Sequence, residues 1–277
     1  MTKIIEKTGS YDIIFLIGKV FDKEKNFSEI SKLEKINTKF IIFDSSEIGA
    51  FLKHTFSSPY NFSDNITFLD RKGVITIHDI KIAYLSGFEE EKYLLENYSN
   101  SAFDFTKAIY CGNAFNKEDV NSLIKLREET EKDSKIDIFL SHCVPNINFQ
   151  ELVNSTDSPI FASLNKLNAE NSNSKKISTK EALEKHSSYS CSLVAKILAP
   201  RYHVTSMDDF FYEKLNYFSC QGKSRILSRF INLAYVKLLK YFFIRYCFIN
   251  LFLTKNLFFI ILNILNLIKN NIFIQQN

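Results

Sequence analysis

Residues 11–17, YDIIFLI, form an apolar, β-branched run closed by Gly18, and residues 38–43, TKFIIF, repeat the pattern before ending at Asp44-Ser45-Ser46. Branched side chains pack well on a pleated surface, and runs without polar alternation suit strands buried on both faces, as parallel strands are. Between the two runs, residues 23–37 are polar apart from Phe27, Ile30, Leu33 and Ile36, whose spacing predicts one apolar helix face. Strand, helix and strand in that order predict a βαβ unit, hence an α/β fold with a parallel sheet. Asp44-Ser45-Ser46 then reads as a turn or helix N-cap.

Outward from this unit the character changes. NITFL (65–69), GVITI (73–77) and KIAYL (81–85) are separated only by the short turns DRKG and HD, which predicts antiparallel hairpins. Residues 116–130, NKEDVNSLIKLREET, carry acids in the first turn and Val120, Leu123, Ile124 and Arg127 on one side, a helix leading into the strand KIDIFL (135–140). Residues 165–180, rich in Asn, Ser and Lys, read as a loop, and 180–198 as a helix stopped by Pro200.

After Val236 the composition shifts to Phe, Leu, Ile, Asn and Lys with neither glycine nor proline, so the expected organisation is a domain over 1–236 and an apolar tail over 237–277. Arg245 and Lys255 interrupt the tail, and a membrane helix over 242–264 would hold both cations at about 2.5–3.5 kcal/mol each near its centre. Two readings stand for the tail: membrane association through 242–268, and a segment foreign to the native fold.

Composition narrows the function classes. With 45% hydrophobic and 24% charged residues in 277, disorder is not expected, and the chain is long enough for a sizeable core. The net charge of +4 invites a nucleic-acid reading, but the tail holds Lys237, Lys240, Arg245, Lys255 and Lys269 and no acid. Removing these leaves 30 basic against 31 acidic residues, so any RNA contact by the body needs a local patch rather than a basic field. Cys111, Cys143, Cys191, Cys220 and Cys247 form no CxxC pair and read as reduced thiols of a cytosolic or nuclear protein. The first residues lack a signal peptide's apolar core, so secretion is not expected.

G-x-S-x-G, the P-loop, G-x-G-x-x-G and H-E-x-x-H do not occur. Three places remain where chemistry could sit. Asp22, in GKVFD after the first strand, is a helix N-cap or a metal ligand. His142, in LSHCVP, stands at the carboxyl end of a strand, where open α/β sheets bind ligands, although a lone histidine also serves as a hydrogen-bonded structural residue. In APRYH, Arg201 and His203 could hold a phosphate with Tyr202 stacking on a base, or the segment packs its aromatics into a core.

The chain resembles the CwfJ (Cwf-nineteen-like) splicing factors through YDIIFLIGKVF, NITFLDRKGVITIHDIKIAYLSGFE, IDIFLSHCVPNI, CSLVAKILAPRYHVTSMDDFFYEKLNYF and SRILSRFINLAYV, in this order and approximate spacing. The resemblance implies a metallophosphoesterase-like sandwich, mixed sheets flanked by helices, related to the lariat debranching enzyme and incomplete at its N-terminus. It places a metal-binding histidine on His142, a bridging aspartate on Lys19 and G-N-H-[DE] on Asp44-Ser45-Ser46-Glu47. An ammonium repels a metal ion, and a two-metal centre needs roughly six ligands. The resemblance therefore implies a noncatalytic RNA-processing factor in pre-mRNA splicing and intron-lariat turnover. It would be nuclear and would act with a lariat debranching enzyme, post-spliceosomal proteins and intron RNA. The phosphate- or RNA-binding candidates are His142, Arg201, Tyr202 and His203. No cofactor is expected, with a residual divalent metal and a residual metal-dependent phosphodiesterase or nuclease kept as the alternative.

Overall fold

The strands Ile13–Gly18 (β1) and Lys39–Asp44 (β2) pair in parallel, from Ile13 opposite Lys39 to Gly18 opposite Asp44, as the opening runs predict. The computed structural model describes residues 12–18, 20, 32–55, 58–90, 113–129, 135–146, 187–206, 212–221, 224–233 and 259–263. Most of the helix expected over 23–37, and with it Asp22 and Lys19, lies outside them.

The remaining elements follow in order. They are helix α1 (Glu47–Thr55), strands β3 (Tyr60–Ser63), β4 (Ile66–Phe68), β5 (Lys72–Ile77), β6 (Ile80–Leu85), β7 (Phe88–Glu89) and β8 (Ala114–Phe115), and helix α2 (Lys117–Glu129). Then come β9 (Ile138–Ser141), β10 (Val144–Pro145), β11 (Ser187–Ser188), helix α3 (Tyr189–Leu198), β12 (Tyr202–Thr205), β13 (Tyr212–Gln221), β14 (Ser224–Asn232) and β15 (Phe259–Asn263). One sheet runs β15-β1-β2-β4-β3 and a second β13-β14-β12-β9-β6-β5. Both are mixed, with parallel pairs at β1–β2, β2–β4, β6–β9 and β9–β12. The class is the α/β arrangement of mixed sheets and helices expected from the sequence.

The core follows from the two-residue period of strands, which sends alternate side chains to opposite faces. Ile13, Phe15 and Ile17 of β1 and Ile41 and Phe43 of β2 meet Ile82 and Tyr84 of β6, Ile138 and Leu140 of β9 and Val204 of β12 in one buried layer between the sheets. On the far side of the second sheet, Ala83, Leu85 and Phe139 pack against Val120 and Leu123 of α2 and Val194, Ala195 and Leu198 of α3. Helix α2 begins with a reciprocal cap, Asn116 Oδ1 accepting from the Asp119 amide and Asp119 Oδ2 from the Asn116 amide.

Two expectations need correction. The run of three strands expected as consecutive hairpins is divided between sheets: β4 joins β2 in the first sheet, whereas β5 and β6 form their hairpin in the second. The partner antiparallel to β4 is β3, which precedes it. The helix expected over 180–198 starts at Tyr189, where Ser188 accepts from the Cys191 amide, and it stops at Ala199 in the left-handed conformation before Pro200. Within the apolar tail, β15 pairs in parallel with β1, Ile13 opposite Phe259. Among the described residues no helix is long and apolar enough to cross a membrane.

Asn65, in the quoted NITFL block, pins the approach to β2. Its side-chain amide donates to the Leu33 and Ile36 carbonyls at 3.1 and 2.9 Å, and its Oδ1 accepts from Ser63 at 2.8 Å. Asn65→Ala removes these side-chain bonds while the Leu33 and Ile36 carbonyls keep the Ile36 and Thr38 amides, and is expected to cost about 0.5–1.5 kcal/mol per bond, read from the urea midpoint at unchanged slope.

Candidate functional site

The parallel strands of the two sheets end together, and the turns that follow carry the polar side chains. In the first sheet Asp44 closes β2 opposite Gly18, fully buried. Its Oδ1 accepts from the Val20 amide at 2.6 Å and its Oδ2 from the Ser46 hydroxyl. Ser46 also caps α1, accepting from the Gly49 amide at 3.1 Å, as the N-cap reading expected. A Cβ at Gly49 would overlap the Asp44 carboxylate, so glycine is what lets the first turn of α1 close over it.

One turn further along α1, Lys53 lies on the same side as Gly49, as positions four apart do, and donates to the Asp44 carbonyl. It is 2% exposed, and lysine is almost never this buried unless paired. Burial pushes the Lys53 ammonium down to about 8 against the opposing pull of Asp44, and burial pushes the Asp44 carboxyl up against the pull of Lys53.

Facing them from the second sheet, His142 follows β9. Its ring stacks on Phe43 with centroids 4.1 Å apart. Its Nδ1 accepts from the Gly87 amide at 3.0 Å and lies 3.1 Å from Ser86 Oγ, which places the ring proton on Nε2, 3.5 Å from the Phe43 carbonyl. The left-handed backbone of Gly87, φ 103°, turns that amide inward. Burial, and next the Lys53 charge, hold His142 well below the ordinary histidine range, so the ring is neutral at pH 7. The DRKG turn completes the surroundings. Tyr84 donates to Asp70, whose carboxyl burial pushes up, while Arg71 pairs with Asp119 of α2 and Lys72 stands 3.2 Å from the same carboxylate.

The other three predicted residues do not join this crevice. His203 points to the opposite face of the second sheet, fully buried between the rings of Phe139 and Phe230, with Nε2 2.7 Å from Ser141 Oγ. Burial pushes it down to about 3. Arg201 is exposed and Tyr202 half-buried at the amino end of β12, Tyr202 being level with Ile138. That is four residues before His142, ~13 Å at the strand rise of about 3.3 Å. A phosphate held jointly by Arg201 and His203 is therefore not what the geometry offers: one is in solvent and the other is sealed in the core. Arg201 instead lies 5.7 Å from the centre of the Tyr202 ring.

The donor chemistry decides what the crevice accepts. Both Asp44 oxygens and His142 Nδ1 already accept protein hydrogen bonds, and an ammonium sits beside them. Among the described residues no group of three or more His, Cys, Asp or Glu is placed to hold a metal ion. The described residues do not fit a two-metal centre. The sequence reading missed Lys53, Asp70 and Tyr84, and took Asp44 for part of a turn or N-cap and, through the resemblance, for the start of the segment standing where G-N-H-[DE] is expected. The available signal was Gly49 and Lys53 at helical spacing behind an apolar strand that ends in aspartate.

No family model matches the chain. The chain is similar to CWF19-like protein 1. The protein of that name from Homo sapiens is 25% identical over 246 residues, that from Pongo abelii 26% over 244 and that from Xenopus laevis 27% over 244. Each match covers 84% of this chain and 38% of the relative, so the chain spans less than two-fifths of the length of the CWF19-like proteins it matches. The likeness supports the Cwf19/CwfJ resemblance carried by the sequence blocks.

Proposed function

We propose that the chain is a noncatalytic RNA-processing factor of pre-mRNA splicing and intron-lariat turnover, acting in the nucleus by binding or modulating a lariat debranching enzyme. Two lines support this reading: the similarity to CWF19-like protein 1, and a crevice whose acceptors are already committed. The observation that carries the noncatalytic part is the buried Asp44–Lys53 arrangement, which among the described residues leaves hydrolytic chemistry without an open pair of ligands. A decisive assay adds the purified chain to a purified debranching enzyme and follows opening of a 2′,5′-branched RNA. A changed rate at stoichiometric amounts supports the proposal; an unchanged rate together with no binding overturns it.

Intron RNA would meet the exposed Arg201 and the free edge of the half-buried Tyr202 ring, where a planar cation and an aromatic ring lie at a strand's amino end. Base stacking on an aromatic ring is worth about 1–3 kcal/mol. Replacing both residues by alanine is expected to weaken single-stranded RNA binding roughly tenfold in a fluorescence anisotropy titration, and Arg201→Ala alone, at the exposed position, is expected to weaken it without shifting the melting temperature by more than a few degrees, whereas Tyr202→Ala also removes a ring packed on the core. The competing reading, a residual metal-dependent phosphodiesterase, rests on the position of His142 at the carboxyl end of β9.

A further inference from the structure

We propose that the Lys53 ammonium is the resident cation of the crevice, occupying the space beside Asp44 and His142 that a divalent ion would need and so excluding one. The helix supplies this charge from within the chain. Gly49 lets α1 start against the Asp44 carboxylate, and Lys53, one turn later on the same side, returns to the Asp44 carbonyl. The ring of His142 lies on Phe43, the preceding residue, with Nε2 toward the Phe43 carbonyl. Thus an ammonium and an imidazole, the first a cation and the second neutral, address consecutive carbonyls at the end of β2.

Lysine in this position is a chemical choice. Its compact charge on a flexible stem can be withdrawn from water and set against a carboxylate and a carbonyl at once, which a hydrated divalent ion does only by gathering several oxygen ligands. The charged groups acting on the ammonium are Asp44 and Asp70, which favour it, and Arg71, which opposes it. A divalent ion entering the same space would face two positive charges, Lys53 and Arg71, and would find both Asp44 oxygens already accepting hydrogen bonds. Deleting the ammonium removes the nearer repulsion and leaves a buried carboxylate without its counter-charge. The inference rests on the noncatalytic reading of the same crevice, but its readout is cation uptake rather than hydrolysis or partner binding, so its failure is distinguishable from a failure of the debranching-enzyme assay.

The test titrates the full chain with manganese alone, following free manganese by electron paramagnetic resonance and the His142 imidazole signals by nuclear magnetic resonance. The wild type is expected to leave manganese free and the His142 signals sharp. Lys53→Ala is expected to take up one manganese, roughly tenfold or more tighter than any wild-type binding, with broadening at His142 that Asp44→Asn in the same background abolishes. Lys53→Arg should keep the exclusion. Should Lys53→Ala fail to fold, Lys53→Met, which keeps the stem and removes the charge, is read in the same way. Manganese broadening of His142 in the wild type overturns the proposal, as does a folded uncharged variant that binds manganese no better than the wild type. If neither variant folds, the wild-type arm decides alone, sharp signals supporting the proposal and broadened ones ending it.

Discussion

Lys53→Ala is expected to lower the unfolding free energy by about 3–5 kcal/mol, the range found when one member of a buried charge pair is removed. The size comes from what is left behind rather than from the bond that is lost. Lys53 and Asp44 are both buried, and truncation leaves the Asp44 carboxylate without a counter-charge and its carbonyl without the ammonium donor. Replacing both, as Lys53→Met with Asp44→Asn, removes the uncompensated charge and is expected to recover much of the loss, because an apolar or neutral substitute for a buried pair is often close to neutral. Urea unfolding of Lys53→Met, Asp44→Asn and the double variant gives the coupling energy directly. A coupling near zero would mean that the two residues contribute separately.

Acidification from pH 7 to 5 is expected to cost about 2 kcal/mol through His203 alone. The ring is held down to about 3 in the folded chain by burial, against an ordinary value of 6.5. Between those two values the unfolded state binds the proton and the folded state does not. Stability therefore rises with pH across the window and is lost as pH falls below 6.5. His142 acts in the same direction, since burial and Lys53 also keep it neutral. Asp44 and Asp70 act in the opposite direction, because burial pushes their carboxyls up and the folded state takes their protons first above pH 3.8. The His203 contribution is isolated by His203→Gln, whose amide can still donate toward Ser141. Urea unfolding of this variant at several pH values should show a pH slope between 5 and 6.5 shallower by about one proton, and an unchanged slope would contradict the assignment.

The strands that cross the core were legible because burial on both faces leaves an unmistakable apolar run: β1, β2, β6 and β9 stand where the sequence placed them. Helix α2 was legible through its acidic first turn and apolar stripe. The division of neighbouring strands between two sheets was not. Short turns reveal which strands are close in sequence, but Ile66–Phe68 and Lys72–Ile77 are separated by only a few residues and still enter different sheets. Strand β3, YNFS, sits at a sheet edge with exposed positions, so it lacks the apolar signature of its partner. Helix α1, EIGAFLKHT, hides its role because among the residues it buries are a glycine and a lysine, types that give no apolar signature in a sequence.

The candidate site shows the same limit. His142 was found from its place at the end of a strand, and it does sit in the crevice. His203 is next to Arg201 and Tyr202 in sequence, yet strand alternation and burial separate it from the exposed guanidinium. The positive charge expected to replace a metal was assigned to Lys19, which lies outside the described residues. The buried charge that is described, Lys53, is nine residues beyond the aspartate it serves, a relation visible only once α1 folds back over β2.

Hydrolysis of a phosphodiester by the purified chain, with and without manganese, bears most directly on the claim that the crevice is filled by the chain's own charge. No turnover above the buffer rate is expected at any manganese concentration. Manganese-dependent hydrolysis that disappears in His142→Ala, with the variant still folded, would contradict it.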